Sequence, residues 1–182
     1  MEIKAALAHE IAELASFARV TYAAAFLKDM GQKTINDHIK TQMSDQHFEA
    51  MMESDTFYLA RSESELIGFS QIGTVTPDYE SYVPEFDRLG SEMRRLYVLS
   101  DLQSKGVGSA LLEQSLRDPI LSNSKTVYLT TWETNRAQKL YSQFKFKKVG
   151  EIPEYGAGGE LNGHEHIMAR LNQGSNSNPR QF

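Results

Sequence analysis

The stretch with the clearest chemical use is a glycine-containing turn, Gln103-Ser104-Lys105-Gly106-Val107-Gly108. Its two glycines allow the backbone to approach a bulky anion closely, because no Cβ stands in the way. Apolar residues recur at helical spacing from Val107 onward, so the turn is expected to open a helix whose first N–H groups lack intrahelical partners and form the positive end of its dipole. With the charge of Lys105 beside it, the turn predicts a cradle for a pyrophosphate group.

The elements expected around the turn fit this use. Leu96-Tyr97-Val98-Leu99 combines β-branched, aromatic and aliphatic residues and predicts a short strand before the turn. Arg117-Asp118-Pro119 predicts the end of the helix after it. The spacing matches neither G-x-x-x-x-G-K-[ST] nor G-x-G-x-x-G, so neither a Walker loop nor a dinucleotide fingerprint is indicated. An ordinary strand-to-helix turn is the alternative interpretation of the same residues.

The composition indicates one soluble domain. The 182 residues predict a domain at 1–172 with a flexible tail at 173–182. No apolar run approaches the roughly 20 residues that span a bilayer, and MEIKAALAHE lacks the pattern of a signal peptide, so no membrane partner is expected. Because the chain has no cysteine, disulfides, cysteine–metal sites and a cysteine nucleophile are excluded, and a cytoplasmic location is expected.

The charge argues against nucleic acid as a partner, since the net charge is -5 and no dense Lys/Arg run is present. An acidic surface suits cationic substrates such as amines, although it serves solubility equally well. Three histidines on the opening helices, His9, His38 and His47, lack metal-ligand spacing. His164 and His166 flank Glu165 on a predicted strand, where an ordinary strand face is favoured over a zinc site, and no metal is expected.

The hydrophobic pattern predicts an α/β domain with a mixed sheet in the order β-α-α-β-β-β-α-β-α-β-β. The predicted strands are Glu2–Ala5, Thr56–Ala60, Leu66–Val75, Glu92–Leu99, Val127–Trp132, Phe146–Ile152 and His164–Leu171. Four helices are predicted. The first covers Leu7–Phe26, the third begins at Val107 and the fourth covers Asn135–Phe144. The second begins with a capping box at Thr34–Asp37 and is interrupted and capped again at Ser44-Asp45.

Glycine and proline positions predict the breaks between these elements. Gly31 is expected to end the first helix, and Gly68 suggests a bulge or bend in its strand. Pro77–Leu89 is expected to be an ordered loop, acting as a substrate lid or only as a connection. Tyr155–Gly163 predicts a glycine-rich turn.

Two segments resemble the signatures of the GNAT superfamily of acetyl-CoA-dependent N-acetyltransferases. Gln103–Gly108 resembles R/Q-x-x-G-x-G/A, and Thr134–Phe146 is similar to N-x-x-A-x-x-L-Y-x-x-x-G-F. The matching residues of the second signature are Ala137, Leu140, Tyr141 and Phe146. Thr134 stands at the usual asparagine position, with Asn135 one residue later. Lys145 stands at the usual glycine position, where a left-handed conformation costs a non-glycine residue roughly 1 kcal/mol.

The resemblance implies a single-domain GNAT-like fold and direct attack of an amine on the acetyl thioester in a ternary complex. It implies that Tyr141 protonates the leaving thiolate and that Glu92, eleven residues before Gln103, deprotonates the substrate ammonium unless a water chain does so. Core packing is the alternative for Tyr141, and a solvated strand-edge position is the alternative for Glu92.

The resemblance also implies how acetyl-CoA is held. Backbone N–H groups of the strand would hold the thioester oxygen and pantetheine, and they belong to Leu96, Tyr97 and Val98. Asn135 would bond the pantetheine arm. The pyrophosphate would lie on Gln103, Ser104, Lys105, Gly106, Val107, Gly108 and Ser109.

A narrower resemblance concerns the acceptor. Trp132-Glu133 and the two opening helices resemble the bacterial spermidine/spermine acetyltransferase group within GNAT, which implies a small amine or polyamine. Candidates for holding a polyamine's remote charges are Glu80, Glu85, Asp87 and Glu133. A protein or peptide N-acetyltransferase and a non-catalytic acyl-CoA-binding sensor remain open as alternatives. The late strands are plausible dimer edges, so a homodimer is an expectation as well.

Overall fold

The elements follow the predicted order. The computed structural model describes residues 1–155 and 159–172 of the chain. The strands are β1 (Glu2–Ala5), β2 (Thr56–Ser62), β3 (Glu65–Thr74), β4 (Ser91–Val98), β5 (Thr126–Trp132), β6 (Lys147–Tyr155) and β7 (Leu161–Leu171). The α-helices are α1 (Ile11–Gln42), α2 (Asp45–Met51), α3 (Val107–Arg117), α4 (Pro119–Ser122) and α5 (Ala137–Gln143). Short 3-10 helices lie at Ala8–Glu10, Pro77–Ser81 and Ser100–Leu102.

The strands form one mixed sheet in the order β1-β2-β3-β4-β5-β7-β6. Antiparallel pairs join β1 to β2, β2 to β3, β5 to β7 and β6 to β7, whereas β4 and β5 run parallel. The predicted α/β fold with a mixed sheet is therefore confirmed. The chain divides into two compact units, Met1–Gly73 with Met93–Arg117 and Thr74–Glu92 with Asp118–Phe182.

The core of the first unit lies between the opening helices and strands β2 and β3. The ring of Phe48 on α2 lies 5.7 Å from that of Phe57 and 6.3 Å from that of Phe69, measured between centroids. Leu14 and Ile35 of α1 are fully buried in the same cluster. Burial of this face explains the helical spacing of apolar residues in the first part of the chain.

Helix α1 is kinked at Gly31, where the sequence predicts the end of the first helix. Gly31 has φ +74° and ψ 160°, a conformation that glycine adopts without a steric penalty. The predicted capping box at Thr34–Asp37 is wrong, because helical structure resumes directly after Gly31 and leaves Thr34 inside the helix. The predicted recap at Ser44 is confirmed, since its Oγ accepts the His47 N–H at 3.1 Å.

A glycine on β3 allows close packing of α3 and β4. A Cβ on Gly68 would lie 2.9 Å from the Tyr97 carbonyl oxygen and 3.1 Å from Leu111 Cδ1. The β2–β3 register shifts between Ala60 and Arg61, directly opposite this glycine, so the bulge suggested there is confirmed. Helix α3 ends at Arg117, as predicted.

The core of the second unit packs the segment between β3 and β4 against β5 and β7. Tyr79 and Val83 are buried in one cluster with Tyr128, and the Tyr128 hydroxyl accepts the Asp87 N–H at 2.9 Å. The loop predicted at Pro77–Leu89 is therefore ordered and begins as a 3-10 helix. These anchors favour a fixed connection over a lid.

The hairpin of β6 and β7 is longer than predicted. Gly163 lies in β7 rather than in the predicted turn. A Cβ there would lie 2.7 Å from Trp132 Cζ2 and from the Glu133 carboxylate, so glycine is favoured at this position. Residues 156–158 of that predicted turn, and the tail predicted at 173–182, lie outside the described residues. Within the described part of the chain, no helix is both long and apolar enough to cross a membrane.

Candidate active site

The glycine turn makes a left-handed bend at the start of α3. Ser104 has φ +63° and Gly106 has φ +89°, and the helix begins at Val107. No described atom lies within 4 Å of a Cβ built on Gly106, so glycine is favoured there by its backbone conformation rather than by space. The bend leads straight into the N-terminus of an 11-residue helix, where anions are commonly bound.

The surroundings of the turn suit a negatively charged ligand. Gln103, Ser104 and Lys105 are exposed, and the first turn of α3 carries no acidic residue. Val107 is buried against Leu111 and fixes the turn to the core. The turn is therefore exposed, held in place by Val107 and adjacent to a lysine. The predicted contact with a pyrophosphate requires this arrangement.

The strand predicted to hold the thioester directly precedes this turn in the first unit. Leu96 and Val98 pack on the cluster that contains Val107, whereas the Tyr97 ring packs 5.4 Å from that of Phe69, as strand alternation requires. The Leu99 N–H donates to the Ile67 carbonyl at 3.1 Å and ties the end of β4 to β3. The contact of these residues with a thioester stays a prediction.

Glu92, the predicted base, belongs to the second unit and is buried, with 4% of its surface exposed. Its carboxylate accepts the Thr76 N–H at 3.0 Å, the Thr76 hydroxyl at 2.7 Å and the Tyr79 hydroxyl at 2.5 Å. The alternative of a solvated strand-edge residue is therefore excluded. Burial, followed by the charge of Glu92, raises the pKa of Tyr79 above its ordinary value, so the Tyr79 hydroxyl remains a donor.

Tyr141, the predicted acid, lies on α5 with 7% of its surface exposed and its ring 6.2 Å from that of Phe146. Burial raises the pKa of Tyr141 to about 12. The phenol is therefore protonated at neutral pH and remains a donor. Burial of this residue is compatible with both sequence interpretations, the acid and the core residue.

The two ends of α5 explain the departures from the second signature. The Asn135 Oδ1 accepts the Ala137 N–H at 2.9 Å, so the helix begins at Ala137 rather than at the predicted Asn135. The Asn135 side-chain oxygen is thus engaged in a turn just before the N-cap residue, Arg136, and its contact with pantetheine stays a prediction. Lys145 adopts φ +68°, the left-handed conformation expected of the usual glycine.

Sequence reasoning does not identify three polar residues near Glu92. Thr76 and Tyr79 donate to its carboxylate, and Glu165 lies close enough to feel its charge. Burial, then the charges of Glu154 and Glu92, raise the pKa of Glu165. The signal that could have found Glu165 is alternation, because it shares a strand face with Ile167, which is fully buried.

Other acidic and histidine candidates make separate contacts. Glu80 pairs with Arg88, and a Glu133 carboxylate oxygen lies 3.4 Å from His164 Nδ1. His166 Nδ1 lies 3.2 Å from the side-chain oxygen of Gln138. Among the residues described, no group of three or more His, Cys, Asp or Glu side chains could hold a metal.

Residues 53–148, more than half of the chain, match the family model of the acetyltransferase (GNAT) domain. Solved structures share the fold over nearly the full length. The PaiA N-acetyltransferase of Thermoplasma acidophilum in complex with coenzyme A is 17% identical, with a TM-score of 0.66 and coverage of 94% of this chain and 99% of that chain.

Two further structures are similar to the same extent. A ribosomal-protein-alanine N-acetyltransferase from Brucella melitensis is 19% identical, with a TM-score of 0.67 over 94% of this chain and 99% of that chain. The yncA protein of Salmonella typhimurium, solved with its cofactor acetyl-CoA, is 16% identical, with a TM-score of 0.67 over 94% of this chain and 93% of that chain. At these identities the similarity shows a shared fold.

Proposed function

Because the chain belongs to the acetyltransferase (GNAT) family, we propose that it transfers the acetyl group of acetyl-CoA to a small primary amine, which attacks the thioester directly in a ternary complex. The observation that carries this proposal is the left-handed turn at Ser104 and Gly106 before the N-terminus of α3. Such a turn suits the pyrophosphate of acetyl-CoA. The similar structures that hold coenzyme A or acetyl-CoA support this choice of donor.

The segment from Leu96 to Ser109 supplies most of the proposed contacts to the donor. The turn from Gln103 to Ser109 binds the pyrophosphate through backbone N–H groups, and Lys105 adds a positive charge. Backbone N–H groups of Leu96–Val98 bind pantetheine and stabilise the negative charge that develops on the thioester oxygen. Asn135 contacts the pantetheine arm.

Glu92 removes a proton from the substrate ammonium, directly or through water. A neutral amine is required because the nitrogen lone pair attacks the carbonyl carbon of the thioester. The three donors supplied by Thr76 and Tyr79 fix the position of the carboxylate. A base held in place in this way loses little conformational freedom when the amine binds.

Tyr141 assists departure of the coenzyme A thiolate. Its pKa of about 12 lies above the value of about 8.5 typical of a thiol, so full proton transfer from the phenol to the thiolate is uphill. The phenol therefore assists first as a hydrogen-bond donor to the negative charge that develops on sulfur, and a proton that it gives up is replaced from solvent. This role also favours an enzyme over a non-catalytic acyl-CoA sensor.

The acceptor is a cationic amine, with a polyamine favoured. Glu92, Glu154 and Glu165 form an acidic group in the second unit, and a negative environment attracts an ammonium ion. A peptide N-terminus is the second candidate, because the similar Brucella melitensis structure is a ribosomal-protein-alanine N-acetyltransferase. We further propose that residues 1–172 form the catalytic domain, that the protein is cytoplasmic, and that it forms a homodimer through its late strands.

The experiment that tests this function is release of free thiol from acetyl-CoA with a panel of acceptors: spermidine, spermine, aminoglycosides, amino acids and short peptides. Turnover with the polyamines is the expected result. Turnover only with peptides would favour the second candidate, and tight acetyl-CoA binding without any turnover would favour the sensor. No binding of acetyl-CoA would contradict the proposed cradle.

A further inference from the structure

A hydroxyl on β5 of the second unit is buried without a hydrogen-bond partner. Thr131 has 5% of its surface exposed, and its Oγ1 has no partner among the residues that the structure describes. A buried hydroxyl left unpaired destabilises a fold, and most buried polar groups of native proteins are hydrogen-bonded. Thr131 is therefore a candidate for contact with a bound molecule.

The face of β5 that carries Thr131 is otherwise apolar. Val127 and Leu129 alternate with it along the strand and are fully buried. Valine has the same branched shape as threonine without the hydroxyl, so packing on this face does not require a threonine. The hydroxyl itself is the feature that needs an explanation.

Helix α5 lies over the same face of the sheet. His166 stands directly opposite Thr131 in the β5–β7 register, so the two side chains share a face. The His166 Nδ1 lies 3.2 Å from the side-chain oxygen of Gln138 on α5, and the Gln138 amide donates to the Trp132 carbonyl at 3.2 Å. Tyr141 follows Gln138 by three residues and is its neighbour on the helix surface.

The Tyr141 phenol is a second buried hydroxyl in this layer. Burial raises its pKa to about 12, and within the described part of the chain no hydrogen bond or neighbouring charge contributes to the shift. The strand and the helix thus each supply a buried hydroxyl to the same side of the sheet, Thr131 from β5 and Tyr141 from α5.

We propose that the Thr131 hydroxyl donates a hydrogen bond to the sulfur of coenzyme A, as a second donor beside Tyr141. The inference rests on the proposed function, in which Tyr141 lies at the leaving thiolate. Thr131 lies outside both signature segments, Gln103–Gly108 and Thr134–Phe146, so the family resemblance assigns it no role.

A second donor compensates for the weak acidity of Tyr141. When the C–S bond breaks, its electron pair stays on sulfur while the new C–N bond to the amine is kept. A neutral thioether-like sulfur accepts hydrogen bonds weakly, whereas hydrogen bonds to an ionised group are roughly twice as strong as neutral ones. The Thr131 contact therefore strengthens as negative charge develops, and this difference lowers the barrier. Thr131 keeps its own proton throughout, and the released thiolate is protonated by solvent.

Two buried threonines provide a matched test. Thr131→Val removes the unpaired hydroxyl, whereas the control Thr21→Val removes a hydroxyl on α1 that donates to the Phe17 carbonyl at 2.8 Å. We expect Thr131→Val to lower kcat about tenfold or more, because a hydrogen bond to a charged group is lost. Its amine KM should stay within about twofold of wild type, and so should the kcat of Thr21→Val.

Urea unfolding of the same variants separates catalysis from structural damage. Thr131→Val should unfold at a higher urea concentration than wild type, since it replaces an unpaired buried hydroxyl by a methyl group. Thr21→Val should show no such gain. A variant that is more stable and less active has not lost activity through misfolding. An unchanged kcat in Thr131→Val, or a lowered urea midpoint, would overturn the proposal.

A readout without turnover uses coenzyme A bound to the full chain. The ultraviolet absorbance of the thiolate is followed against pH. The midpoint should lie about one pH unit higher in Thr131→Val than in wild type, since a hydrogen bond to the ionised sulfur is lost. Calorimetry with desulfo-coenzyme A, which lacks the sulfur, should give equal affinities for the two proteins. A weaker affinity of Thr131→Val for this analogue would place the hydroxyl at another part of the molecule and overturn the sulfur contact.

These readouts distinguish failure of the inference from failure of the proposed function. An unchanged thiol midpoint in Thr131→Val overturns the sulfur contact even if acetyl transfer is observed. A raised midpoint with no turnover of any amine refutes the proposed function, while the sulfur contact stands. Failure of wild-type protein to bind coenzyme A would overturn both.

Discussion

At the scale of single residues, burial decides which polar groups can do chemistry. Glu92 is nearly inaccessible and held by three donors, and the pKa of Tyr141 is raised to about 12 by burial. Both residues follow from the sequence as candidates, because their positions match a signature or a spacing. Their burial and partners do not, because these depend on strand pairing between distant parts of the chain.

The role of Tyr141 leads to a prediction about catalysis. Tyr141→Phe keeps the ring and its packing against Phe146 but removes the donor to the leaving thiolate. We expect a loss of about a hundredfold in kcat, with acetyl-CoA affinity by calorimetry within about twofold of wild type. Tyr155→Phe is the control, since Tyr155 is 62% exposed. Unchanged turnover in Tyr141→Phe would remove this residue from the mechanism.

Glu165 leads to a prediction about stability. Its pKa is raised in the folded state, so its stabilising contribution is complete below the unfolded pKa of about 4.3 and is lost as pH rises through the folded pKa. Glu165→Gln should therefore gain stability relative to wild type as pH rises from about 4 to about 8. Urea unfolding at several pH values measures this trend. A relative stability that falls with pH would contradict the raised pKa.

The pKa of Glu151 shifts in the opposite direction to that of Glu165, so Glu151 serves as the control for the urea unfolding measurement. Its pKa is lowered, first by the hydrogen bond from Lys148 and then by the charge of Lys148. A group of this kind stabilises the fold above its unfolded pKa and loses the contribution as pH falls. Glu151→Gln should therefore not gain stability as pH rises.

At the scale of elements, the turn and helix α3 form the part of the site that the sequence predicts best. The two glycines, the exposed lysine and the helix start are all local features, and Gly106 takes the left-handed conformation at the predicted place. Glu92, its donors Thr76 and Tyr79, and Glu165 come from β4, the segment between β3 and β4, and β7. The only sequence signal for this group is the alternation of residues along β7, which by itself does not identify the partners of Glu92.

The Gly106→Ala variant tests whether the turn binds acetyl-CoA, with Gly159→Ala as a control that has a similar backbone conformation. Gly106 and Gly159 both have positive φ, +89° and +83°, and no described atom lies within 4 Å of a Cβ built on either. Both alanine variants should therefore lose roughly 1 kcal/mol of stability from backbone strain. Gly106→Ala alone should raise the acetyl-CoA KM several-fold, as read by thiol release. Equal KM values would show that this turn does not bind the donor.

At the scale of the whole molecule, the order of elements and the family signatures carry most of the functional conclusion. The family model covers residues 53–148, and the sheet has the mixed arrangement that alternating patterns predict. The prediction of a capping box at the start of the second helical segment is wrong. Gly31 alone ends one segment, and the next begins directly after it. The acceptor amine has no such local signature, because its site is defined by side chains that are far apart in sequence.

The central claim, acetyl transfer from acetyl-CoA to an amine nitrogen, is tested most directly by measuring both products in one reaction. Free thiol and acetylated spermidine are quantified together, by absorbance and by mass spectrometry, with wild-type protein. We expect one thiol for each acetyl group found on the amine. Thiol release without an acetylated product would indicate hydrolysis instead of transfer, and neither product with any amine of the panel would contradict the assigned activity.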